Sequence, residues 1–137
     1  MSANIETFIF FDLETTGLIK RNYIPKITEI SLVAAAKHSL LNPKGTLPRV
    51  MPRLTIPVNP KMPIPPIVTE LTGLSNESLE LSRSFDNDVW QLIKSFIEIL
   101  PKPVCFVAHS GHHFDYPILW SELCSIGKVM NFYSFSQ

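Results

Sequence analysis

The chain has 137 residues, a formal net charge of zero and a hydrophobic fraction of 45%. A chain of this length is sufficient for one domain that buries about two-thirds of its unfolded surface. The zero net charge excludes bulk electrostatic attraction as the basis for binding nucleic acid. No basic region followed by a long apolar run marks a secretory signal, and no run reaches the roughly 20 apolar residues of a membrane helix.

The first half of the chain predicts three β-strands, over residues 7–12, 27–37 and 51–58. In the second of these runs, polar and apolar residues alternate before an all-apolar finish, which is typical of a strand with one buried face. Pro52 and Pro57 flank or interrupt the third run. Because proline cannot donate to a strand ladder, the third strand is expected at an edge of the sheet.

The second half of the chain predicts helices and one further strand. A short helix is expected from Pro65 to about residue 72, and Gly73 suits its C-terminal cap. The clearest helix covers about residues 86–100, with Asp86 near its start. Its apolar stripe consists of Val89, Leu92, Ile93, Phe96, Ile97 and Leu100. Another apolar strand begins at Val104.

The first strand ends in a pair of acidic residues, within the run FIFFDLETTGL that starts at Phe8. Asp12 and Glu14 are two residues apart, so in a strand their side chains point to the same face. Two carboxylates held this close repel each other, and a hard cation such as Mg²⁺ is the usual way to relieve the repulsion. Most isolated Asp-x-Glu triplets are solvated surface, but this pair follows an apolar strand.

A second acidic residue of interest lies in the run VCFVAHSGHHFDYPIL, which starts at Val104. Apolar residues at 114, 118, 119 and 123 have helical spacing, so Asp115 is expected in the first turn of a helix, facing back towards Asp12 and Glu14. Pro117 is compatible with a first helical turn. Three carboxylates at one sheet edge predict a two-metal phosphoryl-transfer site, in which paired ions would activate water and stabilise the leaving oxygen.

The two cysteines, Cys105 and Cys124, are too few for a disulfide framework. We expect both to be buried free thiols, the first in a strand and the second on the inner face of a helix, which favours a reducing compartment. Five basic residues of the first half could contact phosphate, although a solvated surface position is the expectation for each: Lys20, Arg21, Lys26, Arg49 and Arg53.

The two acidic segments resemble the first and second motifs of the DEDD exonucleases, and within that group the chain is most similar to the three-prime repair exonucleases. The resemblance covers residues 7–126 in three blocks: FIFFDLETTGL, then PRVMPRLTIPVNP with VTELTGLS, then AHSGHHFDYPIL. It implies an α/β fold with an RNase H-like mixed sheet and a βββαβα core. It also implies metal-dependent removal of nucleotides from DNA 3′ ends.

The resemblance assigns the acids by position. Asp12, Glu14 and Asp115 match the catalytic acids of the family, which bind Mg²⁺ or Mn²⁺, two ions per site in an intact enzyme. Glu14 and Thr15 match positions that hold the terminal 3′-hydroxyl of the substrate. These assignments are what the family implies for the present chain.

The remaining substrate positions are apolar or aromatic. Leu18 and Leu71 match residues that wedge against the last bases, with a core position as the alternative for each. Phe114 stands at a substrate-binding position where close relatives often carry Tyr, so a phenolic hydrogen bond to phosphate would be lost. Ser110 replaces a usual Asn, and His113 replaces an expected Arg.

The largest departure from the family lies after Asp115. The family has a third motif, in which a general-base His is followed five residues later by a fourth metal-binding Asp. The chain ends 22 residues after Asp115, and no further Asp follows. We therefore expect a truncated exonuclease domain over residues 1–127, lacking the final strand and helices, and a divergent tail over residues 128–137.

Two classes of function follow from this reading. In the first, the chain is part of a 3′→5′ exonuclease inside the nucleus or cytoplasm, and its expected substrate is the 3′ end of single-stranded DNA. The resemblance also implies a homodimer. In the second, the 137-residue chain is a non-catalytic product that binds metal or nucleic-acid ends, since it lacks the general base and the fourth acid. An RNA exonuclease of the same fold is a further alternative.

Overall fold

Four strands form one mixed sheet in the computed structural model, which describes residues 4–42, 44–109 and 111–128, without the His112 side chain. The elements in chain order are β1 Thr7–Thr15, β2 Ile27–Ala36, α1 Lys37–Leu40, β3 Arg53–Pro57, α2 Pro66–Thr72, α3 Asn87–Glu98, β4 Val104–Val107, a π-helical turn Gly111–Asp115 and α4 Tyr116–Ser125. The predicted tail over 128–137 lies outside the described residues except for Lys128.

The sheet has the strand order β3-β2-β1-β4. β1 pairs antiparallel with β2, and β2 pairs antiparallel with β3, so the first three strands form a meander. β4 returns parallel to β1, with Thr7 opposite Val104 and Phe10 opposite Val107. The predicted element order is therefore confirmed, as is the edge position of β3.

The core lies on one face of this sheet, beneath α3 and α4. Alternate residues of β1, Ile9, Phe11 and Leu13, are buried and share one apolar cluster with residues of both helices. Full burial of side chains of this size stabilises the folded state by about 1.5–3 kcal/mol each. The neighbouring β1 positions point to the other face, where Phe10 is 41% exposed.

The helix ends follow their sequence signals. Gly73 caps α2 in the left-handed conformation at φ 76°, which glycine adopts without steric cost. Asp86 caps α3, and its carboxylate accepts a hydrogen bond from the Val89 amide at 2.9 Å. In the described part of the chain, no helix is both long enough and apolar enough to cross a membrane.

The predicted stripe of α3 is wrong at one residue. Leu92 is 54% exposed, whereas Trp90 is buried. At 100° per residue, Leu92 lies about 100° from Ile93 around the helix axis, while Trp90 lies about 60° away on the other side. The packed face therefore takes in Trp90 and leaves Leu92 in solvent. Leu100 is buried as predicted, although it follows the last helical residue.

The expected burial of both cysteines is also wrong. Cys105 is half-buried and Cys124 is exposed, and both are free thiols. Buried positions on α4 include Leu119, Glu122 and Leu123. Cys124 lies about 140° from Leu119 around the helix axis, so it falls on the solvent side.

Candidate metal and nucleic-acid site

The acidic pair lies near the end of β1, on the side of the strand opposite the core. Asp12 is exposed and Glu14 is half-buried. By contrast, Phe11 before the pair and Leu13 between its members are each only 4% exposed. Because a strand alternates its side chains between two faces, burial of the apolar residues forces both carboxylates outward. The structure thus brings Asp12 and Glu14 together, as their spacing predicts.

A third carboxylate lies opposite Glu14 in the sheet. Glu29 on β2 is the direct register partner of Glu14. Burial raises the pKa of Glu14 above its ordinary value of 4.5, and the negative charges of Asp12 and Glu29 raise the pKa further. Carboxylate oxygens are the donors that a hard divalent cation prefers, and a bound cation would offset the unfavourable charge of Glu14. The chemistry of this donor set therefore fits a divalent metal ion.

Asp115 reaches the same region of the sheet from the other motif. Because β4 is parallel to β1, the carboxyl ends of both strands point the same way, and β4 ends opposite Phe10, two residues before Asp12. The π-helical turn Gly111–Asp115 follows β4 on this side of the sheet. Asp115 is 3% exposed and lies at the N-cap of α4, without a side-chain capping hydrogen bond. The prediction that it begins a helix is confirmed.

Asp12 and Glu14 come from β1, whereas Asp115 comes from the turn before α4. Among the described residues, no group of three or more His, Cys, Asp or Glu side chains is already arranged to hold a metal ion. The assignment of Asp12, Glu14 and Asp115 to one metal site stays a prediction. Asp12 faces solvent, whereas Asp115 is enclosed.

The turn after β1 is closed by threonine hydroxyls. Thr15 Oγ1 donates to the Gly17 carbonyl at 2.6 Å, and Thr15 itself is 6% exposed. Thr16 Oγ1 accepts a hydrogen bond from the Lys26 amide at 3.0 Å and shares another with the Tyr23 hydroxyl at 2.6 Å. The Thr15 hydroxyl, predicted at the substrate 3′ end, is thus already engaged within its own turn.

The predicted base-wedging residues are on the surface. Leu18 is 71% exposed and Leu71 is 79% exposed. The alternative that either leucine is a core residue is therefore wrong. Phe114 is half-buried and packs against the core cluster.

Tyr116 was not singled out by the sequence, although it organises the start of α4. Its hydroxyl donates to the Phe106 carbonyl at 3.2 Å, and its ring lies 5.2 Å from that of Phe11. Burial raises the pKa of Tyr116, and the neighbouring Cys105 and Asp115 raise it further. A concavity beside this ring is lined by Phe106, Val107, Ala108, His109, Gly111, His113 and Tyr116.

An ion pair between Lys26 and Glu122 was also missed. Lys26 was expected on a solvated surface, but its Nζ contacts Glu122 Oε1, and the Glu122 side chain is only 2% exposed. The signal in the sequence is the phase of Glu122, which lies between Ile118 and Leu119 around the axis of α4, on its buried side. The other basic residues considered, Lys20, Arg21, Arg49 and Arg53, are exposed as expected.

Comparison with known proteins agrees with these motifs. The family profile described as Exonuclease (RNase_T) matches residues 9–132. Human three prime repair exonuclease 2 is 40% identical over 130 residues, covering 89% of this chain and 54% of the relative. Human three-prime repair exonuclease 1 is 35% identical over 134 residues, covering 90% and 42% respectively. The chain thus spans about half the length of these curated relatives.

Solved structures share the fold at low sequence identity. Cell-death related nuclease 4 matches with a TM-score of 0.66 and 16% identity, over 87% of this chain and 40% of that chain. The metal-free complex of E. coli exonuclease I with single-stranded DNA matches with a TM-score of 0.70 and 13% identity, over 95% and 26%. The mixed sheet is therefore RNase H-like, and the chain belongs to the exonuclease family.

Proposed function

We propose that this chain carries the metal-binding and 3′-end-binding part of a 3′→5′ exonuclease that acts on DNA. The observation that carries the proposal is the acidic pair Asp12 and Glu14, held outward near the end of β1, just beyond the residues that pair with the parallel strand β4. The names and identities of the three-prime repair exonucleases support DNA 3′ ends as the substrate. RNase H-like exonucleases generally depend on divalent metal ions, and carboxylates suit such ions.

In this proposal, Asp12, Glu14 and Asp115 hold Mg²⁺ or Mn²⁺, with two ions in an intact enzyme. When bound, such ions polarise the phosphodiester and balance the charge of the attacking and leaving oxygens. Glu14 also faces the terminal 3′-hydroxyl, with the Thr15 backbone beside it. Leu18, Leu71 and Phe114 provide apolar surface for the last bases, and both leucines are available because they are exposed.

The third motif of the family has no counterpart in these 137 residues. No His follows His113 and no Asp follows Asp115. General-base catalysis contributes typically 10²–10⁴-fold, so we propose that the 137-residue chain by itself cleaves DNA only in trace amounts. The lack of these two residue types favours a second candidate function for these 137 residues, in which they bind metal and nucleic-acid ends without catalysis.

Fluorescence anisotropy of the 137-residue chain with 5′-labelled oligonucleotides tests the proposal. We expect single-stranded DNA with a 3′-hydroxyl to bind more tightly in Mn²⁺ than in EDTA, and more tightly than the same strand with a 3′-phosphate. Asp12→Asn should remove the metal dependence. Metal-independent binding, or equal affinity for both ends, would contradict the proposal, while a preference for RNA of the same sequence would favour the RNA exonuclease.

We also propose that these residues assemble as a homodimer and that the protein acts in the nucleus or cytoplasm, as the family resemblance implies. Sedimentation velocity at micromolar protein concentration measures the first of these. A single species at the mass of one 15.5 kDa chain would contradict dimer formation by these residues.

A further inference from the structure

The Lys26–Glu122 ion pair lies at the junction of the two acidic motifs. Glu122 is on α4, the helix that Asp115 begins, and its side chain is 2% exposed. Its Oε1 is buried, and the ammonium group of Lys26 is the partner that contacts it. The Lys26 side chain is 38% exposed and keeps part of its contact with water.

The backbone of Lys26 is fixed to the turn that follows the first acidic motif. The Thr16 amide donates to the Lys26 carbonyl at 2.9 Å, and the Lys26 amide donates to Thr16 Oγ1 at 3.0 Å. Thr16 is 1% exposed. Because Thr16 follows Glu14 by two residues, the position of Lys26 is rigidly linked to the end of β1.

Glu122 lies on the same face of α4 as Asp115. The two residues are seven positions apart, so they lie about two helical turns apart along α4 and within about 20° of each other around its axis. Tyr116 anchors the first turn of the same helix through its hydrogen bond to the Phe106 carbonyl. The ion pair therefore fixes the C-terminal part of the α4 face that begins with Asp115.

We propose that Lys26 and Glu122 are positioning residues, which set the place of Asp115 relative to Asp12 and Glu14; this inference rests on the proposed function. A buried ion pair is a poor source of stability, because desolvation offsets much of the attraction, and apolar replacements are often equally stable. What the ion pair supplies is a single rotation of α4 about its own axis. An apolar contact at residue 122 would be compatible with several such rotations.

We call the link that the Lys26–Glu122 ion pair makes between the end of β1 and α4 the tether. Hydrogen exchange of the metal-free 137-residue chain tests it. We expect Glu122→Gln and Lys26→Met to increase amide exchange together at 13–18 and at 116–125, while Lys26→Arg keeps the wild-type pattern. Val89→Ala removes buried volume on α3 and controls for general destabilisation. Arg83→Met breaks an exposed ion pair with Asp86 and Asp88. Exchange that rises equally in the Val89→Ala control, or at only one of the two segments, would overturn the tether.

Calorimetry with Mn²⁺ tests the positioning role. Glu122→Gln should weaken Mn²⁺ binding about tenfold, the smaller end of what changes behind metal ligands cost, and Lys26→Arg should restore most of the affinity lost in Lys26→Met. Unchanged Mn²⁺ affinity in Glu122→Gln would overturn the positioning role. If Asp12→Asn left Mn²⁺ binding intact, the proposed metal site would be wrong. The exchange pattern would then still decide whether the tether exists.

Discussion

Glu14 on β1 and Glu29 on β2 are direct partners across the antiparallel pair, so two carboxylates of like charge face each other. Like charges opposite each other destabilise a sheet, and cross-strand pairs are worth roughly 0.2–1 kcal/mol. The repulsion contributes to the raised pKa of Glu14. The folded chain therefore holds the Glu14 proton more tightly than the unfolded chain does.

Replacing Glu29 with Gln should therefore stabilise the protein at neutral pH. Because the Glu14 pKa is raised in the folded state, folding gains stability as the pH falls through that pKa towards the unfolded value, and the repulsion acts only above it. We expect Glu29→Gln to raise the free energy of unfolding by roughly 0.2–1 kcal/mol at pH 7 and by almost nothing at pH 4. Thermal melts across this range measure the effect, and the exposed Glu77→Gln is the control. An equal gain at both pH values would contradict it.

Asp12→Asn should abolish Mn²⁺ binding and leave the fold intact, because Asp12 is exposed and contributes nothing to the core. A ligand that binds only the folded state stabilises it, by about 2.7 kcal/mol at 100 times its dissociation constant. Mn²⁺ should accordingly raise the melting temperature of the wild-type chain, EDTA should reverse the rise, and neither should affect Asp12→Asn. Glu80→Gln, which also removes one exposed charge, should respond like wild type. A Mn²⁺-dependent rise in Asp12→Asn would show that the ion binds elsewhere.

Leu18→Ala and Leu71→Ala should weaken binding of a single-stranded DNA 3′ end without lowering stability. Both side chains are largely exposed, and exposed substitutions usually change stability by less than about 0.5 kcal/mol. Stacking against a base is worth about 1–3 kcal/mol when an aromatic side chain is removed, so aliphatic wedges should fall at or below the smaller figure. Leu81→Ala is the matched control, since Leu81 is 98% exposed. A loss of affinity equal to that of the control would remove both leucines from the substrate surface.

The 137-residue chain should show at most trace 3′→5′ degradation of single-stranded DNA, even with Mn²⁺, because it contains neither His nor Asp beyond Asp115. A longer form that continues from residue 127 into the third motif of the family should be active under the same conditions. A gel assay that compares both forms with their Asp12→Ala variants measures this. Strong degradation by the short form, lost in its Asp12→Ala variant, would mean that another residue replaces the general base.

Gly111→Ala should destabilise the chain through Tyr116. A Cβ built at Gly111 would overlap Cε2 of the Tyr116 ring and would lie 2.8 Å from its Cδ2, which is closer than such atoms can approach. Overpacking of this kind costs typically 1–3 kcal/mol, and the displaced ring would also lose its contact with Phe11. Adding Tyr116→Leu should recover part of the loss. Chemical denaturation of the single and double variants measures the coupling, and additive effects would show that the ring is not the reason for the glycine.

Local patterns predicted most of the fold. The alternation in β2, the prolines around β3, Gly73 after α2 and Asp86 before α3 each correspond to an observed boundary within a few residues, because each depends on neighbours in the chain. The burial of a helical residue depends on how the helix is rotated about its axis, and the sequence defines that rotation less tightly. Leu92 and Cys124 were therefore placed on the wrong side of their helices.

The candidate site was predicted unevenly for a similar reason. The proximity of Asp12 and Glu14 follows from strand geometry alone, whereas Glu29 joins them only through the register between β1 and β2. The contact of Lys26 with Glu122 joins residues 96 positions apart in sequence, counted from their numbers. A charged residue in the apolar phase of a helix was the available clue, and it indicates a partner without identifying it.

The π-helical turn Gly111–Asp115 makes the chain length between β4 and α4 critical. Each residue added or removed in a helix turns everything that follows by about 100°. A single deletion that converted this turn into ordinary α-helix would swing Asp115 around the axis, away from the edge where β1 ends, even if every side chain were retained. Apart from changes at Gly111 and Asp115, substitutions in this segment should consequently be tolerated far better than changes of length.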